Sequence, residues 1–201
     1  MDLLLVRHAE PERIEGGTGV RANPSLTERG RRQAERLADW LAHERIDAVV
    51  SSPQQRAIET AEPVGKAHAL ELEVFDDLVE FDVQADHYIP VEELKATNDP
   101  RWRAMVDGTF HDFGGEDPAR FRRRVLAAID TLIDRHAGQR VVAVCHGGVV
   151  NVALGAVLGI ARPLWFDPAY TSLSRVAASR AGVRSVVTLN ETAHLEARRH
   201  T

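Results

Sequence analysis

Two stretches constrain the fold of this chain more than any others: LLLVRHAE at residues 3–10 and VVAVCHGG at residues 141–148. Each runs an apolar segment directly into a histidine, with Arg7 intervening in the first. A short run without polar alternation marks a strand buried on both faces, and such strands belong to parallel sheets covered by helices. Residues 48–51 and 72–75 read the same way, and residues 174–178 and 184–189 read as two further strands joined by a turn at Ala181-Gly182. Amphipathic helices alternate with these strands. Ala34, Leu37, Ala38 and Leu41 form one stripe, opened by a capping box from Ser25 to Glu28 or by Thr27 as the cap. Asp117-Pro118 opens another, whose stripe is Val125, Ile129, Leu132 and Ile133. Residues 146–161 carry no formal charge and read as a core helix, too short to span a bilayer. The expected fold class is α/β, a three-layer α/β/α sandwich around a mainly parallel central sheet. Residues 1–201 form one domain in this reading, and the weakly patterned stretch at about 81–115 is a cap or lid inserted over the sheet.

In an open parallel sheet, ligands gather in the crevice at the carboxyl ends of the strands. His8 and His146 both stand at such ends, so neighbouring strands would bring them together. Arg7 adds a guanidinium suited to paired contacts with phosphate oxygens. Gly147-Gly148 opens a helix without side chains in the way, which lets backbone N–H groups approach an anion. The run SPQQRAIETA follows a third strand and sets Arg56 about one turn into a helix expected to begin at Pro53. Two arginines, two histidines and a helix N-terminus at one edge describe a phosphoryl-binding site.

The formal net charge of −5 argues against general binding of nucleic acid or anionic membranes, so a positive site must be local. Cys145 is the one cysteine, which fits a reducing compartment and a cytoplasmic location. Strand alternation turns Cys145 away from the face that His146 presents, so it reads as a packing residue and not a nucleophile. No H-x-x-x-H or C-x-x-C spacing calls for a metal, and no cofactor is expected. His43, His68, His136, His194 and His200 are assigned to solvated or capping positions, and Trp40 and Trp165 to packing. In the insertion, His87, Tyr88, Lys95, Arg101, Trp102 and Arg103 are either substrate contacts or a solvated lid surface.

LVRHAE at 5–10, LTERGRRQA at 26–34, SPQQRAIETA at 52–61, LVE at 78–80 and VCHGG at 144–148 together resemble the histidine phosphatase superfamily, in its phosphoglycerate-mutase-like branch. The resemblance implies a phosphatase acting on a small phosphorylated metabolite without a metal. His8 would be the nucleophile and form a phosphohistidine. Arg7, Arg56, His146 and the backbone at Gly147 would hold the phosphoryl oxygens, and Glu80 would be the general acid with Asp82 as its rival. Glu80 and Asp82 share a side if that segment is extended. Ile14 stands where many family members have a phosphate-contacting asparagine, so either one oxygen contact is missing or another donor such as Arg13 or Arg21 replaces it in binding substrate. The alternatives are phosphoglycerate-mutase-type transfer, disfavoured by the short chain, and a catalytically silent phosphate-binding module. The substrate and the oligomeric state are left open, a homodimer being one arrangement the sequence allows.

Overall fold

In the computed structural model, which describes residues 1–16 and 19–196, one sheet is built from β1 (Asp2–Arg7), β2 (Ala48–Ser51), β3 (Leu72–Val74), β4 (Arg140–Cys145), β5 (Leu173–Ala178) and β6 (Arg184–Glu191). Their order across the sheet is β3-β2-β4-β1-β5-β6. The first four run parallel to one another, while β5 lies antiparallel to β1 and β6 antiparallel to β5. The sheet is therefore mixed, with its parallel part where the apolar runs led. Val183, just before β6, and Val187 and Leu189 within it are exposed, as befits an edge strand with one open face.

Helices α1 (Glu28–Leu41), α2 (Gln55–Ala67), α3 (Val91–Ala96), α4 (Pro100–Asp107), α5 (Pro118–Arg135) and α6 (Gly147–Leu158) complete the chain. Alternation along the strands sorts them into two layers. Leu4, Val6, Val49, Val142 and Val144 pack with Leu37 and Leu41 of α1 and Ala57, Ala61 and Val64 of α2. Leu3, Leu5, Val50, Val141, Ala143 and Cys145 point the other way, into Phe121, Val125, Ile129 and Leu132 of α5 and Val149 to Leu154 of α6. Each fully buried Leu or Val stabilises the fold by about 1.5–3 kcal/mol through its removal from water. This is the three-layer sandwich expected, and Cys145 lies in its core. Burial pushes its thiol pKa well up, away from reactivity.

Local signals hold with small corrections. The cap of α1 is Thr27, whose hydroxyl accepts from Gly30 N at 2.9 Å, so the capping box at Ser25 does not form. Helix α2 begins at Gln55 with Gln54 as its cap, two residues later than the proline suggested. Asp117 caps α5 with Pro118 inside the first turn, as read. Trp40 is 43% exposed and so is no packing residue. His194 is buried, its Nε2 2.9 Å from Thr171 Oγ1, and burial lowers its pKa to about 4. Solvation is the wrong account of it. His200 lies outside the described residues.

Residues 81–115 hold α3, α4 and a 3-10 turn at Phe110–Phe113. The segment is fastened at several points. Ile14 and Tyr88 exchange both backbone hydrogen bonds at 2.9 Å, and Phe81, Phe110 and Phe121 form a ring cluster that joins the segment to α5.

Gly30 shows why the LTERG run contains a glycine. A Cβ there would sit 2.1 Å from the carbonyl oxygen of Glu10, which belongs to the loop following β1. Gly30→Ala is expected to destabilise the fold by about 1–3 kcal/mol through overpacking against rigid backbone, read as a lowered urea midpoint. An unchanged midpoint would show that the α1–loop approach is not rigid.

Candidate active site

The parallel register builds the site. Arg7 pairs with Cys145 across β1 and β4, and Ser51 pairs with Val144 across β2 and β4. His8 N still donates to Cys145 O at 2.9 Å and Ser52 N to Val144 O at 3.0 Å, so the ladder continues one residue past the strands. His8, Ser52 and His146 thereby leave the sheet side by side. The His8 and His146 rings lie 5.1 Å apart between centroids.

Each ring is fixed by a hydrogen bond. His8 Nδ1 lies 2.7 Å from Ala9 O, a carbonyl, so this nitrogen carries the proton and Nε2 keeps its lone pair. Arg56 Nε donates to that Nε2 at 3.3 Å. Ser52 Oγ lies 2.8 Å from His146 Nε2 and donates to it in the tautomer that leaves N–H at Nδ1. His146 Nδ1 and Arg56 Nη1 are both buried without a hydrogen-bond partner among the described residues. Burial first, and then the Arg56 and Arg7 guanidiniums, hold the His8 pKa well below its ordinary value; burial and Arg56 do the same for His146. Both rings are neutral at physiological pH.

The guanidiniums are buried beside them. Arg7 Nη1 donates to Pro168 O at 2.6 Å and to Glu92 Oε1 at 3.0 Å, and its guanidinium lies 3.9 Å from the Tyr170 ring centre. Glu92 comes from α3, and its other oxygen accepts from Tyr170 OH at 2.6 Å. Burial opposes the Glu92 charge, but Arg7 and Tyr170 outweigh it and leave the pKa lowered. Arg56 is 1% exposed, reaches Asp82 Oδ1 at 3.4 Å and faces the Tyr88 ring at 4.5 Å.

Glu80 is buried, with Oε2 accepting from Gly148 N at 2.7 Å and Oε1 from Phe81 N at 3.1 Å. Its own N–H donates to Gln54 Oε1 at 2.8 Å, which ties it to the cap of α2. Burial, and then the neighbouring Asp82 carboxylate, push its pKa up to about 7 against the two N–H donors. A Cβ on Gly148 would lie 2.3 Å from Glu80 Oε1, so this glycine makes the seat for the carboxyl. Turn geometry from residue 81 onward breaks the extended segment assumed for Glu80 and Asp82. The two carboxyls therefore have different surroundings: Glu80 is enclosed, while Asp82 is 26% exposed and partners Arg56.

One cavity of about 280 Å³ is lined by Arg7, His8, Arg56, Glu80, Asp82 and Gly147, with Tyr88, Lys95 and Trp102 from the insertion. His146 is fully buried beside the His8 ring and does not itself line the cavity. Arg21 is exposed and does not line the cavity, and Arg13 is held by Glu15 and Glu93. Neither replaces the asparagine expected at Ile14. Arg101 and Arg103 bond to Asp99 and Asn98, and His87 to Asp86, so these three do not line the cavity. Asn151 and Glu92 escaped the sequence reading. Asn151 Oδ1 accepts from Trp165 N and Phe166 N at 2.9 and 3.1 Å, pinning the loop after α6 against the site. Trp165 lines the cavity as well as packing. A polar residue within an otherwise apolar helix was the available signal for Asn151. Glu92 had none.

Imidazole and guanidinium groups gathered at the carboxyl ends of the central strands of an α/β sandwich are the architecture of a phosphoryl-handling enzyme. Comparison supplies the family: residues 3–192 match the histidine phosphatase superfamily (branch 1), and the chain belongs to it. The phosphoserine phosphatase 1 of Hydrogenobacter thermophilus is 35% identical over 162 residues, covering 79% of this chain and 76% of that protein. A bifunctional protein of Mycobacterium tuberculosis is 37% identical over 203 residues and covers 96% of this chain; the chain spans about half (54%) of its length. Among solved structures, Bacillus stearothermophilus YhfR superposes with a TM-score of 0.78 at 25% identity, covering 97% of this chain and 99% of that one. The Entamoeba histolytica phosphoserine phosphatase in complex with 3-phosphoglyceric acid gives 0.73 at 23%, with the same coverage, a likeness of fold. No helix among the described residues is long and apolar enough to cross a membrane.

Two consequences are measurable. Glu92 competes with any anion for Arg7, so Glu92→Gln should tighten binding of inorganic phosphate about fivefold, the equivalent of about 1 kcal/mol for a partly exposed ion pair; calorimetry reads it. Asp82→Asn removes the charge that raises Glu80, so the Glu80 titration followed by carboxyl NMR should move below about 7. An upward move would reverse the assigned cause.

Proposed function

We propose that this chain hydrolyses a small phosphomonoester through a covalent phosphohistidine on His8. The observation that carries the reading is the fixed His8 ring: Nδ1 is bound to Ala9 O, and the unprotonated Nε2 faces Arg56 inside the cavity. A neutral imidazole in that tautomer needs no base to become a nucleophile. Its Nε2 forms a bond to phosphorus while the bond from phosphorus to the ester oxygen breaks. Arg7, Arg56, His146 and the N–H of Gly147 stabilise the equatorial oxygens. Glu80, protonated in a large fraction of molecules near pH 7, gives its proton to the departing alcohol. In the second half, water attacks phosphorus, Glu80 takes back a proton, and the N–P bond breaks to release phosphate and restore His8. Arg7 must exchange Glu92 for the phosphoryl group, which couples substrate arrival to α3.

Rapid quenching with a ³²P-labelled substrate tests the intermediate. Protein-bound label should survive alkali and be lost in acid, and His8→Ala should abolish both label and turnover while its fold persists by circular dichroism. Turnover without such label would remove His8 as the nucleophile.

The acid has its own signature. Glu80→Gln should slow alkyl esters about 10²–10⁴-fold but p-nitrophenyl phosphate less than about tenfold, because that leaving oxygen hardly needs a proton. With the native chain, kcat/KM for alkyl esters should fall as pH rises through about 7, since the protonated form of Glu80 is lost in that direction. Equal slowing of both substrates, or this selectivity appearing in Asp82→Asn instead, would reassign the acid.

A further inference from the structure

We propose that the leaving group this site accepts is compact and apolar, a ring-sized hydrocarbon-rich alcohol, and not a second anionic or zwitterionic group. This rests on the phosphomonoesterase reading above and adds the substrate class. Beyond the phosphoryl-binding residues, the cavity wall is built by Trp102, Met105 and Val106 of α4 facing Leu164, Trp165 and Phe166 of the loop after α6. All six are only half-buried, so each keeps an open apolar face toward the cavity.

The wall is also held in place. Trp165 Nε1 donates to Asn151 O at 3.0 Å, its ring lies 4.5 Å from that of Phe166, and Asn151 Oδ1 holds both backbone N–H groups. An apolar surface fixed in advance costs a ligand little ordering on binding.

Of the two cations at this end, Lys95 is ion-paired, and Arg162 has no ion pair among the described residues. Lys95 is ion-paired with Asp167 and lies 4.4 Å from the centre of the Trp102 ring, while Arg162 Nε donates to Val106 O at 3.2 Å. Asp82 and Asp167 also line the cavity. A carboxylate next to the ester would meet these two anions, and Glu92 on Arg7, with Arg162 alone to offset them.

Volume sets the size. An apolar cavity of about 150 Å³ is enough to hold benzene. A space of about 280 Å³ therefore has room for one phosphoryl group and one ring-sized body.

The test compares benzyl phosphate with glycerol 3-phosphate and phosphoserine, all esters of aliphatic alcohols, and pairs turnover with binding of benzylphosphonate and methylphosphonate measured by calorimetry. The expected result is a kcat/KM for benzyl phosphate at least tenfold above the other two, most of it in KM. Benzylphosphonate should bind at least tenfold tighter than methylphosphonate. Trp102→Ala and Phe166→Ala should each shrink the benzyl-to-glycerol ratio about fivefold or more. Phosphoserine or glycerol 3-phosphate turned over as well as benzyl phosphate, or equal binding of the two phosphonates, would overturn the substrate class while leaving the phosphohistidine intact. Failure to hydrolyse any ester, with benzylphosphonate still bound preferentially, would sink the hydrolytic reading and support the apolar recognition.

Discussion

The register between β1 and β4 is the constraint on which the site depends. Pairing of Arg7 with Cys145 puts the two histidines at the same height on neighbouring strands. A slip of one residue would turn every strand side chain to the opposite face. If β1 slipped, Leu3 and Leu5 would leave α5 and α6 for α1 and α2, and Leu4 and Val6 would move the other way. Because both faces are buried, the cost of such a slip falls on two cores at once. The packing that stabilises the sheet therefore also positions the imidazoles.

Electrostatics then decides what the clustered groups can do. Two guanidiniums beside two buried imidazoles would be intolerable if the rings were charged, and burial with the arginines keeps them neutral. The positive charge that remains is held by carboxylates that are themselves partly open to solvent, Glu92 on Arg7 and Asp82 on Arg56. On the proposed reading, an incoming phosphoryl group would replace contacts of the same sign, so the arginines would not be stripped of anions at any stage. Asp82 acts in two directions. It balances Arg56, and its charge helps keep a proton on Glu80 near neutral pH.

The parallel core and the meeting of Arg7, His8 and His146 at one sheet edge were legible because apolar runs ending in histidine or arginine have one physical reading in an α/β sheet. Arg56 was placed through its helix, although α2 starts later than the proline implied. Glu80 and Asp82 were inseparable in sequence, since their difference comes from a turn at residue 81 and a neighbour, Gly148, that is distant in the chain. Arg21 was proposed to make good a missing donor, but the chain passes there at the surface. Glu92 could not have been found: it is an ordinary acidic residue on a six-residue helix, and only the fold of the insertion brings it to Arg7.

Several motif residues that look chemical are tethers. Thr60 Oγ1 accepts from Ala9 N at 2.9 Å, Gln33 Oε1 accepts from Glu10 N at 2.9 Å, and Gly30 leaves space for Glu10 O. All three act on the loop that carries His8 away from β1. The Ala9 carbonyl that fixes the His8 tautomer belongs to the same loop, so its position is set from both α1 and α2. Rigid support of this kind suits the nucleophile role proposed for His8, whose lone pair would have to stay aimed while a bond to phosphorus formed. The wall for the leaving group is supported separately, through Asn151 and the Ile14–Tyr88 pairing. On the proposed reading, changes in α4 would alter which ester fits while leaving the His8 loop in place, whereas the loop after α6 also holds Arg7 through Pro168 O.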